Sequence, residues 1–269
     1  MHPIDRRTFI ADLGRGAFAL AVFGVAACSP TGQSTARPSA SQPSASGSTP
    51  GPTNEPAPTA SGGTPPSDAP PAGAGVSWER VDLGFVSAYI LVRGSEAAIV
   101  DTGVAGSADA IEASLGEVGL DWSAVGHLIL THRHADHAGS AADILERGPE
   151  MIGYAGAEDI AAITVPRSLT AVADGDRVFD LQIVTTPGHT AGSISVLDAS
   201  AGVLVAGDAL RTEGGRPALP GAQFTDDMDE AIRSVAKLGG FTFETLLVGH
   251  GVPLEDGAST AVAELAAQS

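Results

Sequence analysis

Cysteine is almost missing from this chain: Cys28 is the only one in 269 residues. Disulfides are therefore excluded as a source of stability, and no cluster of thiolates can hold a metal. Basic residues are also scarce, with 14 Lys and Arg against 32 Asp and Glu and a formal charge of −18. Four arginines balance four acids before Val76, so the whole acidic excess lies beyond it. A surface of that sign repels phosphate backbones, which removes nucleic acid as a partner or substrate. Aromatic residues make up 4%, with Tyr89 and Tyr154 the only tyrosines. The apolar run AFALAVFGVAA (17–27) is shorter than the roughly 20 residues a membrane-spanning helix needs. No Gly-x-Ser-x-Gly or Ser-His-Asp arrangement is present, so a protein nucleophile is not expected.

What is present divides the chain in three. Residues 1–28 have the parts of an export signal: Arg6, Arg7 and Arg15, then the apolar run, then small residues. Arg6-Arg7-Thr8-Phe9-Ile10 resembles a twin-arginine signal, whose substrates cross the membrane already folded. Val25-Ala26-Ala27-Cys28 resembles a bacterial lipobox, with Cys28 as the lipidated residue. The expectation is a protein held by a lipid on the extracytoplasmic face of the cell membrane, touching the bilayer only through that anchor. Residues 29–75 contain eleven prolines and no Val, Ile, Leu, Met, Phe, Tyr or Trp. Such a segment cannot bury enough area to offset its ordering entropy, so it reads as a disordered tether.

From 76 to 269 the pattern is that of one folded domain. SAYILV (87–92) and AAIVDTG (97–103) read as strands joined by a turn, and 107–119 as a helix with Ile111 and Leu115 four apart. HLIL (127–130), MIGYAG (151–156), LQIVTT (181–186), SISVLD (193–198), GVLVAGD (202–208) and ETLLVGH (244–250) read as further strands. Helices are expected near 138–146, over 226–239 and at the C-terminus. Strands alternating with helices indicate an α/β layered protein.

The chemistry sits where these strands end. HLIL runs into His132, His134, Asp136 and His137, IVTTPG into His189, VLVAG into Asp208, and TLLVG into His250. Five of the seven histidines belong to this set, leaving out His2 and His127. In an extended loop, residues i and i+2 point the same way, so His132 and His134 can chelate one ion with His189 closing the face. Asp136 and His137 start the next helix and point to a neighbouring position that His250 can join. Asp208 can offer one oxygen to each ion. Nitrogen and oxygen ligands around adjacent, open positions are the pattern of a catalytic metal site. Asp101, before Thr-Gly, fits either a turn or a carboxylate that orients a ligand by hydrogen bonding. Arg211 and Phe224 could edge a cleft, or serve as surface or core residues.

The strings DTG (101–103), THRHADHAGS (131–140), TPGHTAGS (186–193), AGDAL (206–210) and VGHG (248–251) resemble, in order, the metallo-β-lactamase-fold superfamily of metallo-hydrolases. The resemblance spans nearly all of residues 80–255 and implies a four-layer αββα sandwich with a two-metal site along one edge. It places His132, His134 and His189 on the first ion, Asp136, His137 and His250 on the second, and Asp208 between them. Two divalent ions are implied, zinc foremost, with iron or manganese as alternatives. Asp208 argues against the antibiotic-hydrolysing branch, which generally lacks a bridging aspartate there. Only 19 residues follow His250, too few for the glutathione-binding helical region of the glyoxalase II branch, so a compact member is expected.

In the mechanism the resemblance implies, two ions about 3.5–4 Å apart would acidify a shared water, and the hydroxide would attack an ester, thioester or lactone carbonyl. Asp136 is the residue expected to orient that nucleophile or shuttle its proton. Two other classes compete. One is an iron-dependent persulfide oxidase resembling the same fold. The other is a lipid-anchored metal-binding module without catalysis.

Overall fold

The computed structural model describes residues 75–269; the leader, Cys28 and nearly all of the proline-rich segment lie outside it. The first sheet contains β1 (Ser77–Asp82), β2 (Ser87–Arg93), β3 (Glu96–Val100), β4 (Val125–Ile129), β5 (Ile152–Gly156) and β6 (Thr170–Val172), in that spatial order. The first three strands are antiparallel, and β3 to β6 are parallel. The second sheet is built from β7 (Arg177–Val178), β8 (Leu181–Thr185), β9 (Ile194–Asp198), β10 (Val203–Val205) and β13 (Thr245–Leu247), with β13 at the edge beside β10. A hairpin of β11 (Arg211–Glu213) and β12 (Arg216–Ala218) stands apart. The helices are α1 (Ala108–Glu117), α2 (Ala135–Ala138), α3 (Ala141–Arg147), α4 (Met228–Leu238) and α5 (Ala258–Gln268).

Three apolar cores define four layers. Along β2, Ala88 and Ile90 face Ile111 and Leu115 of α1 and Ile144 of α3. The alternate residues Tyr89 and Leu91 turn the other way, onto Ile183, Val196 and Val205 of the second sheet. The outer face of that sheet, Val184, Leu197, Leu204 and Leu246, covers Val235 and Leu238 of α4 and Val262 of α5. Period-two alternation thus sends each strand into two cores at once, and each fully buried aliphatic contributes about 1.5–3 kcal/mol. The αββα order expected from the sequence is the order observed.

Some boundaries differ. The helix expected near 138–146 is two pieces, α2 and α3, broken at Gly139 and Ser140. Gly139 packs where a Cβ would lie 2.2 Å from the Ala135 carbonyl oxygen and 2.6 Å from Ala105 N, and Ser140 Oγ donates to Val104 O at 2.6 Å. The chain turns there because it is tied to the loop after β3. Strands β1, β6, β7, β11 and β12 were not expected; the last four have two or three residues each, too few to show a period.

Candidate metal centre

β3 and β4 run parallel, as do β10 and β13, and β8 shares the direction of β10 through two antiparallel steps. Their C-terminal ends therefore gather along one edge of the sandwich. The two sheets are fastened there by Ile194 N donating to Thr131 O (2.9 Å), Ser87 N to Gly249 O (2.9 Å) and Tyr89 Oη to Val248 O (2.8 Å). Asp101, Thr131 to His137, His189, Asp208 and His250 all leave from these strand ends.

The structure brings the seven candidate ligands together. His134 Nδ1 lies 3.1 Å from His132 Nε2 and 3.0 Å from His189 Nε2. His250 Nε2 lies 3.3 Å from Asp136 Oδ2. Asp208 stands between the groups, with Oδ1 3.3 Å from His137 Nε2 and Oδ2 3.3 Å and 3.2 Å from His189 and His250 Nε2. His132, His134 and His189 form one set able to hold an ion, Asp136, His137 and His250 another, and His132, His137 and Asp208 a third that joins them.

The outer ring nitrogens are engaged so that the inner ones face the site. Asp101 accepts from His137 Nδ1 at 2.8 Å. Phe85 O accepts from His250 Nδ1 at 2.7 Å. Thr131 Oγ1 donates to Asp101 at 2.7 Å and so accepts from His132 Nδ1 at 3.1 Å. Thr225 Oγ1 donates to Gly221 O and so accepts from His189 Nδ1 at 3.3 Å. Four imidazoles thus present Nε2 inward, while His134 presents Nδ1. Asp101 belongs to this hydrogen-bonded frame. It sits at a left-handed φ of 63°, as a turn residue does, and its buried carboxylate holds Thr131 and His137.

Do these residues fit a cation? His137 Nε2 and Asp208 Oδ1 are buried and face each other without a hydrogen-bond partner. Orphaned buried polar atoms are costly, and a divalent cation satisfies both. Tetrahedral ligation at 2.0–2.1 Å places ligand atoms about 3.3 Å apart, and the separations here are 3.0–3.3 Å. Gly249 leaves the space: a Cβ there would stand 2.3 Å from Asp208 Oδ1 and 2.4 Å from His137 Cε1. The set fits.

Electrostatics divides it. Burial pushes His132 well below its ordinary pKa, takes His189 down to about 4 and lowers His134. That face is neutral at pH 7, as imidazole ligation requires. Burial also opposes charge on His137, but Asp101 and Asp208 outweigh it and lift its pKa to about 10. Hydrogen bonds to Asp136 and Asp208 lift His250 to about 10. Burial would raise Asp208, yet His137 and His250 hold it well below the carboxylate range. Protons on His137 and His250 can hold the place of a cation.

The linkage then has two signs. A chelator-treated chain gains stability from His137 that is complete below pH 6.5 and lost as pH rises through about 10. Neutral His189 works oppositely, losing stability as pH falls from 6.5 through about 4. Melting scans in chelator should therefore show a decline on both sides, and added divalent metal should rescue the alkaline side most. A chelator-treated melting temperature that stays flat from pH 7 to 10 would contradict this.

The cleft above these residues has a volume of about 1060 Å³. Arg211 and Phe224 do line it, whereas neither tyrosine does. Tyr89 is a core residue, and Tyr154 packs on His127. Phe85, stacked on the His250 ring at 6.1 Å, lines the cleft too and was not foreseen. Its signal was available, an aromatic in the turn between Gly84 and Val86. Asp159 and Arg133 were also missed. Asp159 accepts from Arg133 N and Nη1, Thr190 Oγ1 and Gly192 N, tying the two histidine loops together.

Residues 81–250 match the model of the metallo-beta-lactamase superfamily. Among proteins similar in sequence, the uncharacterised protein YobT of Bacillus subtilis is 28% identical over 62% of this chain and 83% of its own length. The probable metallo-hydrolase YflN of the same organism is 34% identical over 47% of this chain and 64% of its own. A hydroxyacylglutathione hydrolase of Rhodospirillum rubrum is 32% identical over 57% of this chain and 56% of its own. This chain thus spans less than two thirds of the last two. Among solved structures, the metallo-beta-lactamase family protein TTHA1429 from Thermus thermophilus superposes with a TM-score of 0.59 at 24% identity, over 72% of this chain and 79% of that one. TTHA1623, solved in a di-iron-bound form, gives 0.55 at 21% identity, over 67% and 93%; both likenesses bear on the fold. With the family model spanning most of the described residues, the chain belongs to the metallo-beta-lactamase superfamily.

Proposed function

We propose that this protein is a metal-dependent hydrolase of an ester, thioester or lactone, built on two divalent ions, zinc foremost. The observation that carries the reading is Asp208, whose two oxygens face different histidines of one seven-residue cluster. His132, His134 and His189 would hold one ion, and Asp136, His137 and His250 the other. Bound there, divalent cations supply Lewis acidity toward an acyl carbonyl and acidify water near neutral pH.

The chain's own part is orientation and proton handling. Asp101, Thr131, Thr225 and the Phe85 carbonyl fix four imidazoles with Nε2 inward, so little reorganisation is left for binding. Asp136 lines the cleft, half-buried, with Oδ2 3.3 Å from His250 Nε2. A carboxylate so placed accepts a proton from the attacking water and returns it to the leaving group. The hydrolase relatives, including a hydroxyacylglutathione hydrolase and a thioesterase from Emericella nidulans, support acyl chemistry.

A panel of aryl esters, thioesters and lactones tests this. Turnover should be lost on chelation, restored by zinc or manganese, and reduced about 100-fold or more in Asp136→Asn, the scale of one general base. Metal-independent turnover, or full activity in Asp136→Asn, would defeat it.

A further inference from the structure

The walls of the cleft carry information about what enters it. Phe85 and Phe224 come from loops far apart in sequence, are 63% and 64% exposed, and line the same opening. Single exposed apolar residues are ordinary. Two phenylalanines facing one cleft, in a chain with 4% aromatics, make an apolar wall, which Pro220 and Ala222 extend.

The charged wall residues are already compensated. Arg211 pairs with Glu213 at 2.9 Å, and its Nε donates to Leu219 O at 3.0 Å. Asp226 pairs with Arg133 at 2.7 Å. Thr225 Oγ1 is engaged with Gly221 O and His189. A ligand beyond the metal cluster therefore meets two aromatic rings, the Gln223 amide and an Arg211 whose charge is already shared with Glu213. A carboxylate-bearing substrate would have to compete with Glu213 for Arg211 while facing apolar walls, and the net charge of −18 repels it at longer range.

We infer that this cleft selects uncharged carboxylic esters or lactones flanked by aryl or alkyl groups, and discriminates against acyl compounds that carry carboxylates. The inference rests on the hydrolase reading and narrows it. It also separates this chain from relatives named for glutathione thioesters, whose substrates carry such carboxylates.

Two non-hydrolysable amides that differ at one end test it by calorimetry on the full chain as purified. N-phenylhexanamide ends in a methyl group, and N-phenyladipamic acid replaces that methyl with a carboxylate. The neutral amide should bind about tenfold tighter or more. Phe85→Ala and Phe224→Ala should each weaken it roughly five- to tenfold, on the scale of a lost aromatic contact, with metal content unchanged in Phe224→Ala. Both side chains are exposed, and the Phe85 carbonyl that holds His250 is kept in the variant. Equal or tighter binding of the acid, no effect of either substitution, or no binding of the neutral amide would overturn the inference. Turnover of phenyl hexanoate judges the hydrolase reading separately: binding without turnover would sink hydrolysis and leave the selectivity standing. Efficient turnover confined to carboxylate-bearing thioesters would do the reverse.

Discussion

Replacing Gly249 by alanine should empty the metal cluster while leaving the domain folded. The added Cβ would lie 2.3 Å from Asp208 Oδ1 and 2.4 Å from His137 Cε1. Neither the His137 ring nor the Gly249 backbone can retreat cheaply. His137 is fully buried, with its ring held by Asp101 and its carbonyl accepting from both N and Oγ1 of Thr102 at 2.7 Å. The Gly249 backbone is pinned too, donating to Gly207 O at 3.1 Å and accepting from Ser87 N at 2.9 Å. The methyl must therefore push the His137 ring and the Asp208 carboxylate apart. Overpacking of this kind costs about 1–3 kcal/mol, and a displacement of about 1 Å in a reacting geometry costs about 100-fold in rate. Metal content, turnover and a denaturant midpoint on one preparation check all parts. Full metal retention and activity in Gly249→Ala would show that the space beside Asp208 is not required.

Asp159→Ala should give a large loss of stability from a single polar position outside the cluster. Asp159 is wholly buried, with Oδ1 accepting from Arg133 Nη1 and Gly192 N at 3.0 Å each. Its Oδ2 accepts from Arg133 N at 2.9 Å and Thr190 Oγ1 at 2.6 Å. One carboxylate thus holds the loop of His132 and His134 against the loop of His189. Removing one partner of a buried pair costs about 3–5 kcal/mol. Arg133 is 27% exposed and keeps Asp226, which places the loss near the lower limit. At about 2–4 °C per kcal/mol for a domain of this size, the melting temperature should fall by roughly 6–12 °C. Asp159→Asn keeps the shape and one acceptor oxygen, so it should fall between wild type and alanine. Calorimetry decides, and a shift within a degree or two for Asp159→Ala would contradict the clamp.

These two positions also show where reading the sequence stops. The ligand candidates were legible because each lies in a local string at a strand end, with chemistry carried by residue type and spacing. Asp159 has no such string. Its role comes from Gly192, 33 residues on, and from Arg133, which in turn reaches Asp226 across 93 residues. Gly249 lies in the VGHG string, but the string does not say that its missing Cβ makes room for Asp208 and His137. The same division holds in the fold. β2 was readable from its apolar run. β1, SWERVD, buries one residue fully as an edge strand and offers no alternation to read. The break between α2 and α3 depends on contacts with the loop after β3, which no helical period records.

The central claim is that this cluster holds metal, and metal content tests it most directly. Mass spectrometry of the purified full chain, expressed without added metal, should find about two zinc or manganese ions per chain by the two-metal reading, falling in His134→Ala. Iron at one per chain would transfer the site to oxidative chemistry. No metal in a folded chain would contradict the account.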